Sequence, residues 1–254
     1  MLPIRSRSLA ALALMAGCAS AATLSGSAFG RHQDRYRRVR TARVSAQPRL
    51  EALFRGAGLG YPPREVFLRA FKMEGEMELW ARNGVSGPFV LVKTYPICAS
   101  SGVVGPKRRQ GDLQVPEGFY RVSGFNPWSR FHLSLQIDYP NASDRILGGA
   151  GNLGGDIFIH GSCVTIGCIP LGDGPIEEVY LAVVDARAAG QSRTAVHIFP
   201  CRLDRDWLRL EREAWRRPGL LDFWRNLKEG YDIFQGTRRM AKISVDRRGR
   251  YLFD

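Results

Sequence analysis

The stretch of this chain best equipped for covalent chemistry is Asp156-Ile157-Phe158-Ile159-His160-Gly161-Ser162-Cys163-Val164-Thr165-Ile166-Gly167-Cys168-Ile169-Pro170. Ile157, Phe158 and Ile159 read as an apolar strand that ends on His160, which holds an imidazole rigidly while leaving it accessible. Gly167 stands immediately before Cys168, and a residue without Cβ lets the backbone approach a substrate closely. A cysteine nucleophile needs a base or a lowered pKa, and an imidazole within hydrogen-bond reach supplies both. A loop of this length can fold back to set His160 beside Cys168. The implied chemistry is nucleophilic catalysis by a cysteine with a histidine base. Two other uses of the same residues stand beside it. Cys168 can form a disulfide with Cys163 or Cys98. His160, Cys163, Cys168 and Cys98 are also residue types that hold zinc, although their spacing matches no common zinc pattern.

These residues need a frame, and the flanking sequence supplies one. Residues 66–71, 77–81, 89–92, 120–122, 133–137 and 195–199 read as short strands broken by Gly/Pro turns, which predicts a mostly antiparallel β domain. Residues 177–188 carry Val179, Leu181, Ala182 and Val183 with Pro175 near the start, and form the best helix within that domain. After Cys201 the pattern changes. Residues 204–217 and 220–234 read as amphipathic helices, broken at Pro218-Gly219, whose Trp207, Trp215, Trp224 and Tyr231 are expected to pack on the β domain. Two short strands, 243–245 and 251–253, close the chain around Gly249. The fold class is therefore mostly β (α+β), with an inserted helix and C-terminal helices. His132 and His197 lie in strand-like runs and are expected to be satisfied histidines in or near the core.

Composition narrows the function classes. With 44% hydrophobic and 24% charged residues the chain is globular rather than disordered. Lys and Arg number 37 against 24 Asp and Glu, a net charge of +13 that favours anionic partners. Residues 31–55 contain eight arginines and read as a solvated linker with a surface helix around Leu50, Leu53 and Phe54. The first residues read as an export signal: Arg5 and Arg7, a short apolar run over 9–16, then small residues. Ala19-Ser20-Ala21 is an A-x-A cleavage site, and Met15-Ala16-Gly17-Cys18 resembles a lipobox that would lipidate Cys18 and anchor the chain to a membrane. Outside this segment no apolar run approaches the ~18 residues that span a bilayer, which excludes an integral multi-span protein. Export argues against a nucleic-acid partner and permits disulfides among Cys98, Cys163, Cys168 and Cys201.

The block His160-Gly161-Ser162-Cys163-Val164-Thr165-Ile166-Gly167-Cys168 resembles the active-site signature of the L,D-transpeptidase catalytic (YkuD) family, in its YafK-like branch. Supporting segments are Lys93-Thr94-Tyr95-Pro96-Ile97-Cys98, Gly105-Pro106-Lys107, Pro116-Glu117-Gly118-Phe119-Tyr120, Asn126-Pro127, His132-Leu133-Ser134-Leu135 and Tyr139-Pro140-Asn141-Ala142. The resemblance implies an exported periplasmic or envelope enzyme without a cofactor, acting on diaminopimelate-containing peptidoglycan stem peptides. Cys168 would be the nucleophile and His160 the proton donor and acceptor. A carbonyl of Gly161 or Ser162 would hold the imidazole tautomer, and N–H groups near Gly167 and Cys168 would stabilise the oxyanion. By motif position Lys93, Tyr95, Asn126 and Thr165 are substrate-binding candidates. The wider family usually has a longer His-to-Cys spacing, a histidine at the position of Ile166, and Arg or Asn soon after the cysteine where this chain has Pro170. Lys93, Lys107, Arg108 and Arg109 are substitutes for holding a substrate carboxylate, though each reads by default as a surface charge. The acceptor names the activity: an amine from a second stem makes a cross-link, a lipoprotein lysine an anchor, and water a hydrolase or amidase that releases wall-bound lipoprotein. A non-catalytic wall-binding module is the reading from another class. The implied organisation is a signal over 1–21, a basic linker and short helix over 22–60, a catalytic domain over 61–201 and a helical extension over 202–254.

Overall fold

The computed structural model describes residues 27–215, 217 and 219–254; the leader, with Cys18, lies outside the described residues. Its centre is an eight-stranded sheet: β1 (Glu65–Phe71), β2 (Glu76–Arg82), β3 (Val90–Pro96), β4 (Gly118–Asn126), β5 (Ser134–Ile137), β6 (Phe158–His160), β7 (Ile169–Pro170) and β8 (Ala195–Phe199). The strands lie in the order β3-β2-β1-β8-β4-β5-β6-β7. Only β1 with β8 and β6 with β7 are parallel, so the expected antiparallel character holds. Register shifts interrupt the β2–β3 and β4–β5 ladders, as bulges that bend a sheet do. The sheet curls until the amide N–H just past β3, that of Cys98, donates to Pro170 O in β7 at 3.1 Å.

Helices cover both faces, which is why β1 is buried continuously from Val66 to Phe71 rather than at alternate positions. One side of β1 and β8 sends Val66, Leu68, Ala70, Val196 and Ile198 into a core shared with α2 (Arg37–Gly56) and α4 (Asp173–Ala188). The other side sends Phe71 and Phe199 into a second core with Trp224, Leu227 and Tyr231 of α6 (Leu220–Thr237). The residues after Cys201 therefore share a core with the sheet, as expected of their aromatics. The exception is Trp215, which follows α5 (Trp207–Ala214) and is 88% exposed. The hairpin β9 (Ile243–Val245) and β10 (Tyr251–Phe253) contributes Tyr251 to the same core. Two short helices, α1 (Ala28–Gln33) and α3 (Ala142–Gly148), complete the chain. Among the described residues no helix is long and apolar enough to cross a membrane.

The N-terminal arginine-rich region differs from the linker and surface helix read from its charge. It forms the twenty-residue α2, whose Val39, Ala42, Ala46, Leu50 and Phe54 are wholly buried on one stripe. Several of its arginines are engaged rather than merely solvated. Arg43 pairs with Asp34 at 2.5 Å and with the buried Asp185 of α4 at 2.8 Å. Arg38 donates to the carbonyls of Ser129 and His132, and so fixes the loop before β5. Charge density masked the helical stripe because two of its five residues, Ala42 and Ala46, are small rather than large and apolar.

Helix α4 begins four residues before its expected start. Pro175 lies in its first turn, where a missing N–H breaks no helical bond. Residues 176–186 are all buried, including the acids Glu177, Glu178 and Asp185. Each acid has a partner, as buried carboxylates require. Glu177 meets His132 at 2.9 Å, Glu178 meets Lys93 at 2.7 Å and Asp185 meets Arg43.

Candidate active site

Strand β6 ends on His160, and the chain then loops through 161–168 before re-entering the sheet as β7. His160 faces Pro170 across the parallel β6–β7 pairing. Cys168 stands two residues before Pro170, in the bend that leads into β7. The loop is zipped to the start of α4: Leu171 N donates to His160 O at 2.8 Å and Gly172 N to Ser162 O at 3.0 Å. On its outer side Cys163 forms a disulfide with Cys98. That bond removes two of the four residues from the zinc arrangement, and it leaves Cys168 as a free, half-buried thiol and Cys201 as a buried one. Among the described residues no group of three or more His, Cys, Asp or Glu is placed to hold a metal ion.

His160 is 1% exposed, and its ring lies against Phe131 at 4.7 Å between centroids. Its Nδ1 lies 2.5 Å from Gly161 O. A carbonyl only accepts, so Nδ1 carries the proton and Nε2 presents its lone pair. Nε2 has no hydrogen-bond partner among the described residues. Burial pushes the imidazole below its ordinary pKa of 6.5, against the opposing pull of the Gly161 carbonyl, and so keeps it neutral at pH 7.

The Cys168 sulfur accepts from Phe158 N at 3.4 Å and donates to Asp156 O at 3.6 Å; it makes no hydrogen bond to the imidazole. Burial is the largest influence on this thiol and raises its pKa above 9.0, and the nearby Asp156 charge adds to that. Phe158 N–H and the Lys107 ammonium pull the other way without prevailing. The resting state is thus a neutral thiol and a neutral imidazole, not a preformed ion pair.

A small apolar cavity of about 100 Å³ opens beside Cys168, between β1, Val115 and the strap 97–104. Lys72 lines it, but its ammonium is committed to Gly105 O, Val115 O and the buried Glu117 carboxylate at 2.8, 2.9 and 3.0 Å. Ser101 Oγ is buried there without a hydrogen-bond partner. Val164 and Ile166, 55% and 78% exposed, rim the loop on the outside. Ile166, the position where the wider family carries histidine, therefore adds apolar surface and no second imidazole.

The structure sorts the residues expected from sequence. His160, Gly161, Ser162, Thr165, Gly167 and Cys168 come together in one loop. Gly161 is needed because a Cβ would lie 2.8 Å from Phe131 O and 2.9 Å from His132 Cβ. Gly167 has φ +137° and Gln114 O at 3.1 Å from any Cβ. Its N–H donates to Thr165 Oγ1 at 3.1 Å, so it is not the oxyanion donor expected of it. Thr165 Oγ1 in turn donates to Cys168 O at 2.8 Å, which makes Thr165 a brace of the cysteine loop rather than a substrate contact.

Five other candidates find partners elsewhere in the fold. Tyr95 is fully buried and its hydroxyl donates to Glu178 at 3.0 Å, as the Lys93 ammonium does at 2.7 Å. Both are consumed by the buried acid of α4. Asn126 Oδ1 accepts from Trp128 N at 2.9 Å and caps a turn. Lys107 is no surface charge: it is 5% exposed and bound to Asp112 at 2.6 Å. Arg108 is held by Asp144 at 2.8 Å, which leaves Arg109 as the exposed member of that run. His132 and His197 are the satisfied or buried histidines expected, His132 on Glu177 and His197 between Phe67 and Phe119. Sequence reasoning missed Asp173, whose carboxylate accepts from Ser162 N at 2.7 Å. The available signal was an acid at the start of a helix five residues after the cysteine.

Residues 74–198 match the profile of YkuD, the L,D-transpeptidase catalytic domain. Over 190 residues the chain is 38% identical to YafK of Escherichia coli strain K12, a protein that bears a provisional L,D-transpeptidase name, and the match covers 74% of this chain and 73% of that one. Among solved structures, the helical cell shape determining protein Pgp2 from Campylobacter jejuni aligns at 17% identity and a TM-score of 0.43, over 72% of this chain and 73% of that one. L,D-transpeptidase 1 of Mycobacterium tuberculosis aligns at 12% identity and a TM-score of 0.30, over 53% and 61%. With the profile spanning every strand from β2 to β8 and the relative matched over most of its length, the chain belongs to the YkuD L,D-transpeptidase family.

Proposed function

We propose that this protein is an exported cysteine acyltransferase that acts on the diaminopimelate residue of peptidoglycan stem peptides. The observation that carries this reading is the fixed tautomer of His160. Gly161 O accepts from Nδ1–H, and Nε2 is left without a hydrogen-bond partner among the described residues. When a stem peptide enters, Nε2 accepts the thiol proton and the sulfur attacks the diaminopimelate carbonyl. The C–N bond then breaks, and the imidazolium returns that proton to the leaving amine. The product is a Cys168 thioester. An acceptor attacks it, gives its own proton to His160, and the sulfur leaves and is reprotonated. The Cys168 N–H serves as the backbone donor to the oxyanion, since the Gly167 N–H is already given to Thr165.

The acidic wall polymer suits a chain of net charge +13. Mass spectrometry of sacculi incubated with the mature protein tests the reading, with Cys168→Ala as control. Half of the sacculi carry bound lipoprotein and half are rich in free tetrapeptide stems. New diaminopimelate–diaminopimelate cross-links absent with the variant establish amine acceptors. Loss of lipoprotein remnants without new cross-links establishes water as the acceptor and a hydrolase. Equal behaviour of wild type and variant overturns the catalytic role of Cys168 and leaves a wall-binding module.

A further inference from the structure

The peptide unit between Gly161 and Ser162 is held at both ends. Its carbonyl oxygen lies 2.5 Å from His160 Nδ1, and its N–H lies 2.7 Å from Asp173 Oδ1. Neighbouring carbonyls in this loop behave differently, since His160 O and Ser162 O both accept amides from the strand leading into α4. The Gly161 carbonyl alone is turned to the imidazole. Ser162 adopts φ +57° to allow that turn, a conformation a non-glycine residue holds only when its surroundings fix it.

We infer that Asp173 is a positioning residue for His160: its carboxylate anchors the Ser162 N–H and so aims the Gly161 carbonyl at Nδ1. The inference rests on the proposed role of His160 and extends it by one residue. Asp173 is the first residue of the sixteen-residue α4, after the Gly172 N-cap, where the helix dipole favours a carboxylate. Hydrogen bonds in a chain polarise one another. A carboxylate on the amide end therefore makes the carbonyl end a stronger acceptor, although the acid never touches the ring. The other titratable groups at this end of α4, His132 and Glu177, are paired with each other at 2.9 Å and leave Asp173 to the loop. Gly161 completes the device, because a Cβ there would come within 2.6 Å of Asp173 Oδ1.

The test uses the full mature protein as wild type, Asp173→Ala, Asp173→Asn and Cys168→Ala. Nitrogen-15 NMR of histidine-labelled protein reads the His160 tautomer, with His160→Gln for assignment, and turnover is followed on sacculi. Wild type is expected to show Nδ1 protonated and Nε2 bare. Asp173→Ala is expected to mix the two tautomers and to lower kcat about ten- to a hundredfold with KM within about twofold. Asp173→Asn keeps an acceptor for Ser162 N–H, and is expected to retain the tautomer and recover kcat to within about fivefold of wild type. An unchanged tautomer in Asp173→Ala overturns the inference, whether or not kcat falls, because a merely structural role lowers activity without moving the ring proton. The NMR readout needs no turnover. If wild type and Cys168→Ala are equally inactive, the acyl-transfer reading fails while the tautomer still decides the role of Asp173.

Discussion

The Glu178 cluster and the His160–Cys168 segment both carry titratable side chains that the sequence marked as site candidates, and they reach opposite states. In the first, a buried carboxylate of α4 collects the Lys93 ammonium at 2.7 Å and the Tyr95 hydroxyl at 3.0 Å. Both groups donate to the one carboxylate, and burial raises the Tyr95 pKa well above its usual value. In the second, Nε2 of His160 has no hydrogen-bond partner among the described residues, and the sulfur makes only long contacts to Phe158 N and Asp156 O at 3.4 and 3.6 Å. Polar groups that satisfy one another stabilise a fold, whereas groups left short of partners are available to a substrate. Residue type and motif position did not separate the two clusters; the partner of each polar atom did.

Five variants and one titration sharpen or break that contrast. His160→Gln removes the unpartnered nitrogen and is expected to lower acyl transfer by about 10²–10⁴-fold, with a thermal midpoint close to wild type; a loss of less than tenfold on sacculi breaks the comparison. Alkylation of Cys168 by iodoacetamide probes the neutral resting pair. The thiolate is the reactive form, and burial raises the thiol pKa above 9.0, so the rate is expected to rise with pH through an inflection above 9.0. An inflection near neutrality would reveal a thiolate–imidazolium pair instead. Glu178→Ala strands the buried Tyr95 hydroxyl and the Lys93 ammonium, and is expected to cost about 3 kcal/mol in urea unfolding while the folded fraction keeps its turnover number.

Thr165→Val deletes both bonds that brace the cysteine loop, to Cys168 O and from Gly167 N. About a tenfold loss of turnover is expected, with a melting shift of only a few degrees and with Thr165→Ser close to wild type. Equal losses in Thr165→Ser and Thr165→Val would move Thr165 back to substrate contact. The smallest effect belongs to Tyr95→Phe, which removes one hydrogen bond from Glu178 and is expected to cost about 1 kcal/mol of stability with unchanged kinetics. A rise in KM for stem peptide would return Tyr95 to the cleft.

The linear chain determined a good deal by itself. The strands β1, β2, β5 and β8 are legible because period and β-branched or aromatic content reflect local backbone preference, which needs no partner. The His160–Cys168 block is legible because both residues lie in one short loop between paired strands, so its chemistry is nearly local. Glycine at 161 and 167 is legible for the same reason: close backbone approach admits no Cβ. Tertiary structure alone decided the rest. Residue 163 chose residue 98, 65 positions away, because the sheet curls until the end of β3 meets β7. Lys93 and Tyr95 left the candidate site because α4, more than 80 residues later, brings a buried acid that must be neutralised. Helix α2 became part of the core because its small-residue stripe has value only against α4. Asp173 joined the histidine through a peptide unit, a link that no spacing in the sequence encodes. Local preference sets what each segment is, and long-range burial of polar groups sets which side chains remain free to react.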